Sequence, residues 1–129
     1  MIFTRENCKS VTAPSAKKLA LDLSRTKQSF ANLAAEDGSF VQVAGGPGLF
    51  LLERRELSGT HSRACQDHPV AIHPDGTVLQ SSAGNFCLAQ DEWFLLKQIV
   101  EVFEAFSNGQ PLPSYVRWRN LGDNYAVKA

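Results

Sequence analysis

QDEWFLLKQIVEVFEAFSNGQPLPSYVRW, residues Gln90 to Trp118, is the stretch around which the rest of the chain is organised. Leu96, Ile99, Val100, Phe103 and Phe106 recur at three- and four-residue spacing, while Lys97, Glu101 and Glu104 fall outside that stripe. The pattern predicts an amphipathic helix packed on something flat. Asp91 and Glu92 stand where a helix start favours negative charge. Asn108-Gly109 followed by Pro111 is a stop signal, because glycine takes the left-handed cap and proline cannot continue the hydrogen-bond ladder. Ser114 to Trp118 then mixes β-branched and aromatic residues with polar ones and predicts a short strand returning beside the helix. Nothing in the stretch is itself reactive chemistry.

A chain of 129 residues fits one domain, 1–129, since two cores would leave each half too small to bury enough surface. The composition, 43% hydrophobic and 20% charged, is ordinary for a globular protein. No apolar run approaches the ~20 residues of a membrane helix, so no membrane partner is expected. Met1 to Lys9 carries Arg5, Glu6 and Lys9 where a secretory leader would turn apolar, which places the expected site of action in the cytoplasm. The three cysteines, Cys8, Cys65 and Cys87, are widely spaced and odd in number, which suits reduced thiols. A formal net charge of zero supplies no field toward DNA or RNA, so direct nucleic-acid binding is not expected.

From the N-terminus, Ile2-Phe3 begins a candidate edge strand. Pro14, Ala16, Leu19, Ala20 and Leu23 predict a first helix ending between Ser24 and Thr26, with Lys17 and Lys18 on its wet side. Gln28 to Ala35 places Phe30 and Leu33 at helical spacing and reads as a helical turn or loop closed by Glu36-Asp37-Gly38. Phe40 to Val43 and Leu49 to Leu57 read as a hairpin turned at Gly45-Gly46-Pro47-Gly48. That AGGPGL loop is a turn, not a phosphate cradle: it lacks the lysine and Ser/Thr of a P-loop and leads into a strand. Pro69 to Ile72 and Thr77 to Gln80 read as a second hairpin about His73-Pro74-Asp75-Gly76. Ser81 to Asn85 reads as a polar loop, Phe86 to Leu88 as a lead into the helix, and Leu121 to Ala129 as a polar tail.

The expected fold class is therefore α+β. An antiparallel sheet of about five strands has a long C-terminal amphipathic helix and a shorter N-terminal helix on one face, and a last short strand follows the long helix. The other face is partly open, with Glu53, Arg54, Arg55 and Glu56 along it or at its edge.

Between Gly59 and Asp75 lie all three histidines, His61, His68 and His73, with Cys65, Asp67 and Asp75. Such residues can ligate zinc, and a small metal-binding protein or enzyme using His61 to Asp75 is one alternative function. The spacing argues against it, since structural zinc sites show close ligand pairs and neither C-x-x-C nor H-x-x-x-H is present. The H-x-E with P-C-x-x-C pattern of zinc deaminases is missing too. We expect no catalytic set, no cofactor and no metal site.

The closing stretch resembles the cytoplasmic immunity proteins of bacterial polymorphic toxin systems, in the family numbered first in that classification. The residues that carry the resemblance are Leu88-Ala89-Gln90-Asp91-Glu92, Val102-Phe103-Glu104-Ala105-Phe106, Asn108-Gly109, Pro113 and Val116-Arg117-Trp118, about the last quarter of the chain. The resemblance implies a protein partner: a cognate toxin domain, often a nucleic-acid deaminase or nuclease, bound one-to-one and blocked by occlusion. Neutral charge sets aside mimicry of nucleic acid as the means. Arg54, Arg55, Asp67, His68 and Asp75 are the expected partner-binding residues, because strand edges and hairpin tips can enter a cleft. Trp118 is expected in the core, between sheet and helix. A secretion chaperone or adaptor is a further alternative.

Overall fold

Alternation of buried and half-buried residues, more than helical periodicity, governs this chain. The computed structural model describes residues 1–67 and 72–122. Its elements in order are β1 (Ile2–Arg5), β2 (Val11–Thr12), α1 (Ala16–Ser24), β3 (Ser29–Ala34), β4 (Phe40–Gly45), β5 (Phe50–Arg55), β6 (His61–Gln66), β7 (Thr77–Ser81), β8 (Gly84–Leu88), α2 (Leu96–Ser107) and β9 (Val116–Gly122). Seven strands form one sheet in the order β2-β1-β3-β4-β5-β6-β9, and β7 pairs with β8 in a separate two-stranded sheet. Every pairing is antiparallel.

This corrects the expected fold class. The sheet has seven strands where about five were foreseen, a second small sheet is present, and the two helices are short, so strand dominates. The C-terminal helix spans 12 residues, about 18 Å at 1.5 Å per residue, and begins at Leu96 rather than near Asp91. Residues before it are otherwise engaged: Phe94 exchanges both backbone hydrogen bonds with Phe50, at 2.9 and 3.0 Å, forming an antiparallel bridge to β5 beyond the end of the β5–β6 ladder. The Gln98 side chain then accepts from the Leu95 N–H at 2.9 Å and closes the first turn. The stop falls where the sequence puts it, with Gly109 at φ +65°.

Three further expectations change, and a fourth falls mostly on residues that are not described. Within Gln28 to Ala35 runs a strand, β3 (Ser29–Ala34), whose Ala31 and Leu33 are fully buried while Asn32 between them is not. Ser81 to Asn85 is the turn of a tight hairpin, with Ser81 opposite Gly84. The strand foreseen over Pro69 to Ile72 lies mostly outside the described residues, and Ile72 is in a turn. The closing strand is seven residues long and includes Leu121 and Gly122, which were read as tail.

Both helices cover the same face of the large sheet. Leu19 and Leu23 of α1 and Ile99, Val102 and Phe103 of α2 share one buried cluster with Phe3, Leu33, Val41, Val43 and Leu52. Phe3 and Phe103 meet edge to face, ring centroids 6.2 Å apart, and each such buried ring contributes about 1.5–3 kcal/mol by area alone. On the opposite face a smaller cluster holds the β7–β8 hairpin down: Leu79, Leu88 and Trp93 pack on Ala44 and Leu51.

The β4–β5 turn locks these layers together. Gly45 and Gly46 have φ of +103° and +90°, and the Gly46–Pro47 peptide is cis. A Cβ on Gly46 would fall on the Thr26 carbonyl and the Phe50 ring, and one on Gly45 would lie 2.6 Å from the Leu49 carbonyl oxygen. Only glycine fits there. The Gln28 N–H donates to the Gly46 carbonyl at 3.0 Å, so the glycine run serves packing.

Candidate functional site

Because strand side chains alternate between faces, the register determines what the face away from the helices presents. Thr4, Asn32, Gln42, Glu53, Arg63 and Arg119 are successive cross-strand partners over six strands. They form one polar row across the open face. Asn32 Nδ2 donates to Gln42 Oε1 at 3.4 Å, and Gln42 Nε2 to Glu53 Oε1 at 3.5 Å. His61 Nε2 lies 3.1 Å from Glu53 Oε1, and Arg63 Nε donates to Glu53 Oε2 at 3.0 Å. Arg63 Nη1 stands 3.7 Å from Glu92 Oε1, whose second oxygen takes a 2.7 Å hydrogen bond from Arg119 Nη1. Arg119 Nη2 reaches Asp91 at 3.0 Å.

Glu53 is the hub. It is 5% exposed and His61 is fully buried; a carboxylate that deep is held only where donors satisfy both oxygens. Both Glu53 oxygens are engaged, Oε1 by His61 and Gln42 and Oε2 by Arg63. Arg119, nearer solvent, has its pKa raised chiefly by the hydrogen bond to Asp91, against a smaller opposing effect of burial. Asp91 and Glu92, foreseen as helix-start charges, are thus the acceptors that orient this arginine. On the same face, burial raises the thiol pKa of Cys65, and its Sγ lies 3.6 Å from the Arg117 carbonyl oxygen. Cys8, Cys65 and Cys87 are all free thiols.

The expected partner residues do not gather in one patch. Arg54 points to the helix-covered side, where it sits over the Trp118 ring, 4.3 Å from its centroid, and pairs with Glu56 at 3.2 Å. Burial lowers its pKa. Arg55, its chain neighbour, points to the open face opposite Phe40 and His61. Asp67 is at the far end of β6, roughly 20 Å away along the strand, where it takes a 2.7 Å ion pair from Arg117. Asp75 caps the hairpin approach by accepting from the Gln90 N–H at 2.8 Å. His68 lies outside the described residues. Trp118 is half-buried against the main core.

The histidines diverge as well. His61 packs on Phe40 and Glu53, whereas His73 sits edge-on to Trp93, centroids 4.8 Å apart. Among the described residues no group of three His, Cys, Asp or Glu side chains is placed to hold a metal ion. No described helix is long and apolar enough to cross a membrane.

Sequence reading missed the row itself. Its one signal was a polar residue centred in an apolar alternation, as in Ala31-Asn32-Leu33 and Val41-Gln42-Val43, and that signal needs the strand register to become a site. Comparison with protein-family models, curated proteins and solved structures gives no match to this chain.

Proposed function

We propose that this protein is an immunity protein that binds the domain of a cognate toxin acting on nucleic acid and neutralises it by covering its active site or substrate surface. The complex is one-to-one and forms in the cytoplasm. The observation that carries the reading is the open sheet face, whose side chains are already oriented by one another from Asn32 to Asp91. Groups held in place before contact lose little entropy on binding, so such a face suits recognition of a rigid partner. The likeness of Leu88 to Trp118 to immunity proteins supports the same reading.

The test is co-expression with the toxin domain encoded beside it. The expected result is a one-to-one complex on gel filtration and restored growth, with no activity of the protein alone on nucleic acid, nucleotide or peptide. A toxin that stays active and unbound in the presence of the folded protein overturns the proposal.

A further inference from the structure

The charges of this chain balance in total but not in place. Residues 1–35, which hold β1, β2, α1 and β3, carry six lysines and arginines against two carboxylates, while the rest of the chain carries seven against eleven. In the sheet β2, β1 and β3 are successive strands at one edge, and α1 packs on them. The positive surplus is therefore gathered along that edge.

Two hollows open there, and Arg5 belongs to both. One, of about 250 Å³, has Arg5, Arg25 and Lys27 in its walls with Glu6. The other, of about 270 Å³, has Arg5, Lys9 and Lys18 with Asp22. Each carboxylate is already engaged. Glu6 accepts from the hydroxyls of Ser29 and Ser82, which hold its pKa below the usual carboxylate value. Asp22, 3% exposed, takes Lys18 Nζ at 3.0 Å and stands 3.8 Å from Arg5 Nη2. It does not saturate that guanidinium, since Arg5 Nε is buried and neither it nor Asp22 Oδ1 has a hydrogen-bond partner. Lys9, Arg25 and Lys27 are exposed and, among the described residues, make no ion pair. Like charges set this close together raise one another's energy, and an anion laid among them relieves it.

We propose that this basic edge seats an acidic segment of the protein partner, with carboxylates falling across the two hollows among Arg5, Lys9, Arg25 and Lys27. The inference rests on the binding reading and adds to the open face a second contact of stated sign. A nucleic acid suits the edge less well. Its phosphates repeat about every 3.4 Å along the whole strand, and beyond residue 35 the chain's surplus is negative, whereas an acidic segment can end where the cations end.

Three measurements test it, two of them without the toxin. Cys8 lines the second hollow and Cys87 is exposed on β8, both as free thiols, so the native protein carries a probe and its control. Their alkylation by iodoacetate, an anion, is compared with that by neutral iodoacetamide, each site being followed by peptide mass spectrometry. The iodoacetate-to-iodoacetamide rate ratio is expected to be roughly fivefold higher at Cys8 than at Cys87, and to converge at the two sites in about 1 M salt. Equal ratios at low salt overturn the proposal. In the second, isotope-labelled protein is titrated with an acetylated, amidated Glu-Asp-Glu-Glu peptide, its all-lysine counterpart and a short oligothymidylate, and followed by NMR. Saturable shifts at Arg5, Lys9, Arg25 and Lys27 are expected with the acidic peptide, and are expected to vanish in the Lys9→Glu, Lys27→Glu double variant. No shifts, shifts elsewhere, or tighter binding of the oligonucleotide overturn the proposal. In the third, the double variant is expected to bind the toxin domain roughly 100-fold more weakly, chiefly through slower association, and Lys97→Glu to bind it unchanged, with folding checked by circular dichroism. Wild-type affinity in the folded double variant overturns the proposal. If the unmodified protein ignores the toxin while the acidic peptide still binds at these cations, the immunity reading falls and the site stands.

Discussion

The two faces of the seven-stranded sheet solve the same problem by opposite means. The face under α1 and α2 excludes water with Phe3, Leu33, Val41, Leu52 and Phe103, so its order comes from shape and volume. Among the described residues, the other face is covered where the β7–β8 hairpin sits on Ala44 and Leu51; beyond it, order comes from the bonded row running through Gln42, Glu53, Arg63 and Glu92 to Arg119. Apolar packing is non-directional and tolerates substitution of similar volume. A charged row is directional and fails when one member is removed. The first face therefore holds the fold, and the second holds side chains in fixed positions at a surface.

Phe103→Ala puts the greatest strain on the packed side of this comparison. The ring is fully buried in the centre of the helix-covered cluster, and truncation should cost about 3–5 kcal/mol in denaturant unfolding through lost transfer energy and a residual cavity. A loss below about 1 kcal/mol would mean that this face is not a close-packed core.

The polar side should break differently. Glu53→Ala strands His61 and Arg63 without their shared carboxylate, and breaking a buried pair in this way typically costs about 3 kcal/mol. Replacing Glu53 and Arg63 together, as Glu53→Leu with Arg63→Met, should recover part of that loss, since apolar residues of similar size substitute well for buried ion pairs while the buried His61 Nε2 still loses its Glu53 acceptor. Under the proposed function, the same double variant should bind a toxin domain poorly, because the oriented charges are gone. If it is as unstable as Glu53→Ala alone, the row is part of the stabilising core, and the distinction between the faces is lost.

The same distinction explains what could be read in the sequence. The apolar stripe of α2, the cap at Gly109 and the β4–β5 hairpin were legible because each is a local pattern with a local cause. The start of α2 was not, because Asp91 and Glu92 satisfy a local rule for helix entry while their partners, Arg63 and Arg119, come from distant strands. β3 was misread because Phe30 and Leu33 share helical spacing, and only pairing with β1 and β4 on either side reveals that Ala31 and Leu33 are its inward positions. The expected partner residues Arg54 and Arg55 are adjacent in sequence and so fall on opposite faces of a strand. A surface built by cross-strand register is invisible until the register is known.

The smallest expected effect concerns how the hairpin is tied to the sheet, and it is read on the pH axis. Glu6, just after β1, accepts hydrogen bonds from the hydroxyl of Ser29 at the start of β3, 2.6 Å away, and from that of Ser82 in the β7–β8 turn. The Ser29 bond first and the Ser82 bond second lower its pKa from the usual carboxylate value of 4.5. Hydrogen bonds to the ionised form favour it in the folded state, so the folded pKa lies below the unfolded one. The resulting stability is fully present above pH 4.5 and is lost as pH falls through the lowered folded value. Wild type and Glu6→Gln, compared by urea unfolding across the acid range, should therefore differ by a constant small margin at neutral pH, and the margin should close below pH 4.5. Ser82→Ala should reproduce part of the change and Ser29→Ala more of it. A margin that stays constant through the acid range would mean that Glu6 is merely solvated, leaving the cluster of Leu79, Leu88 and Trp93 to hold the hairpin on the open face without this tie.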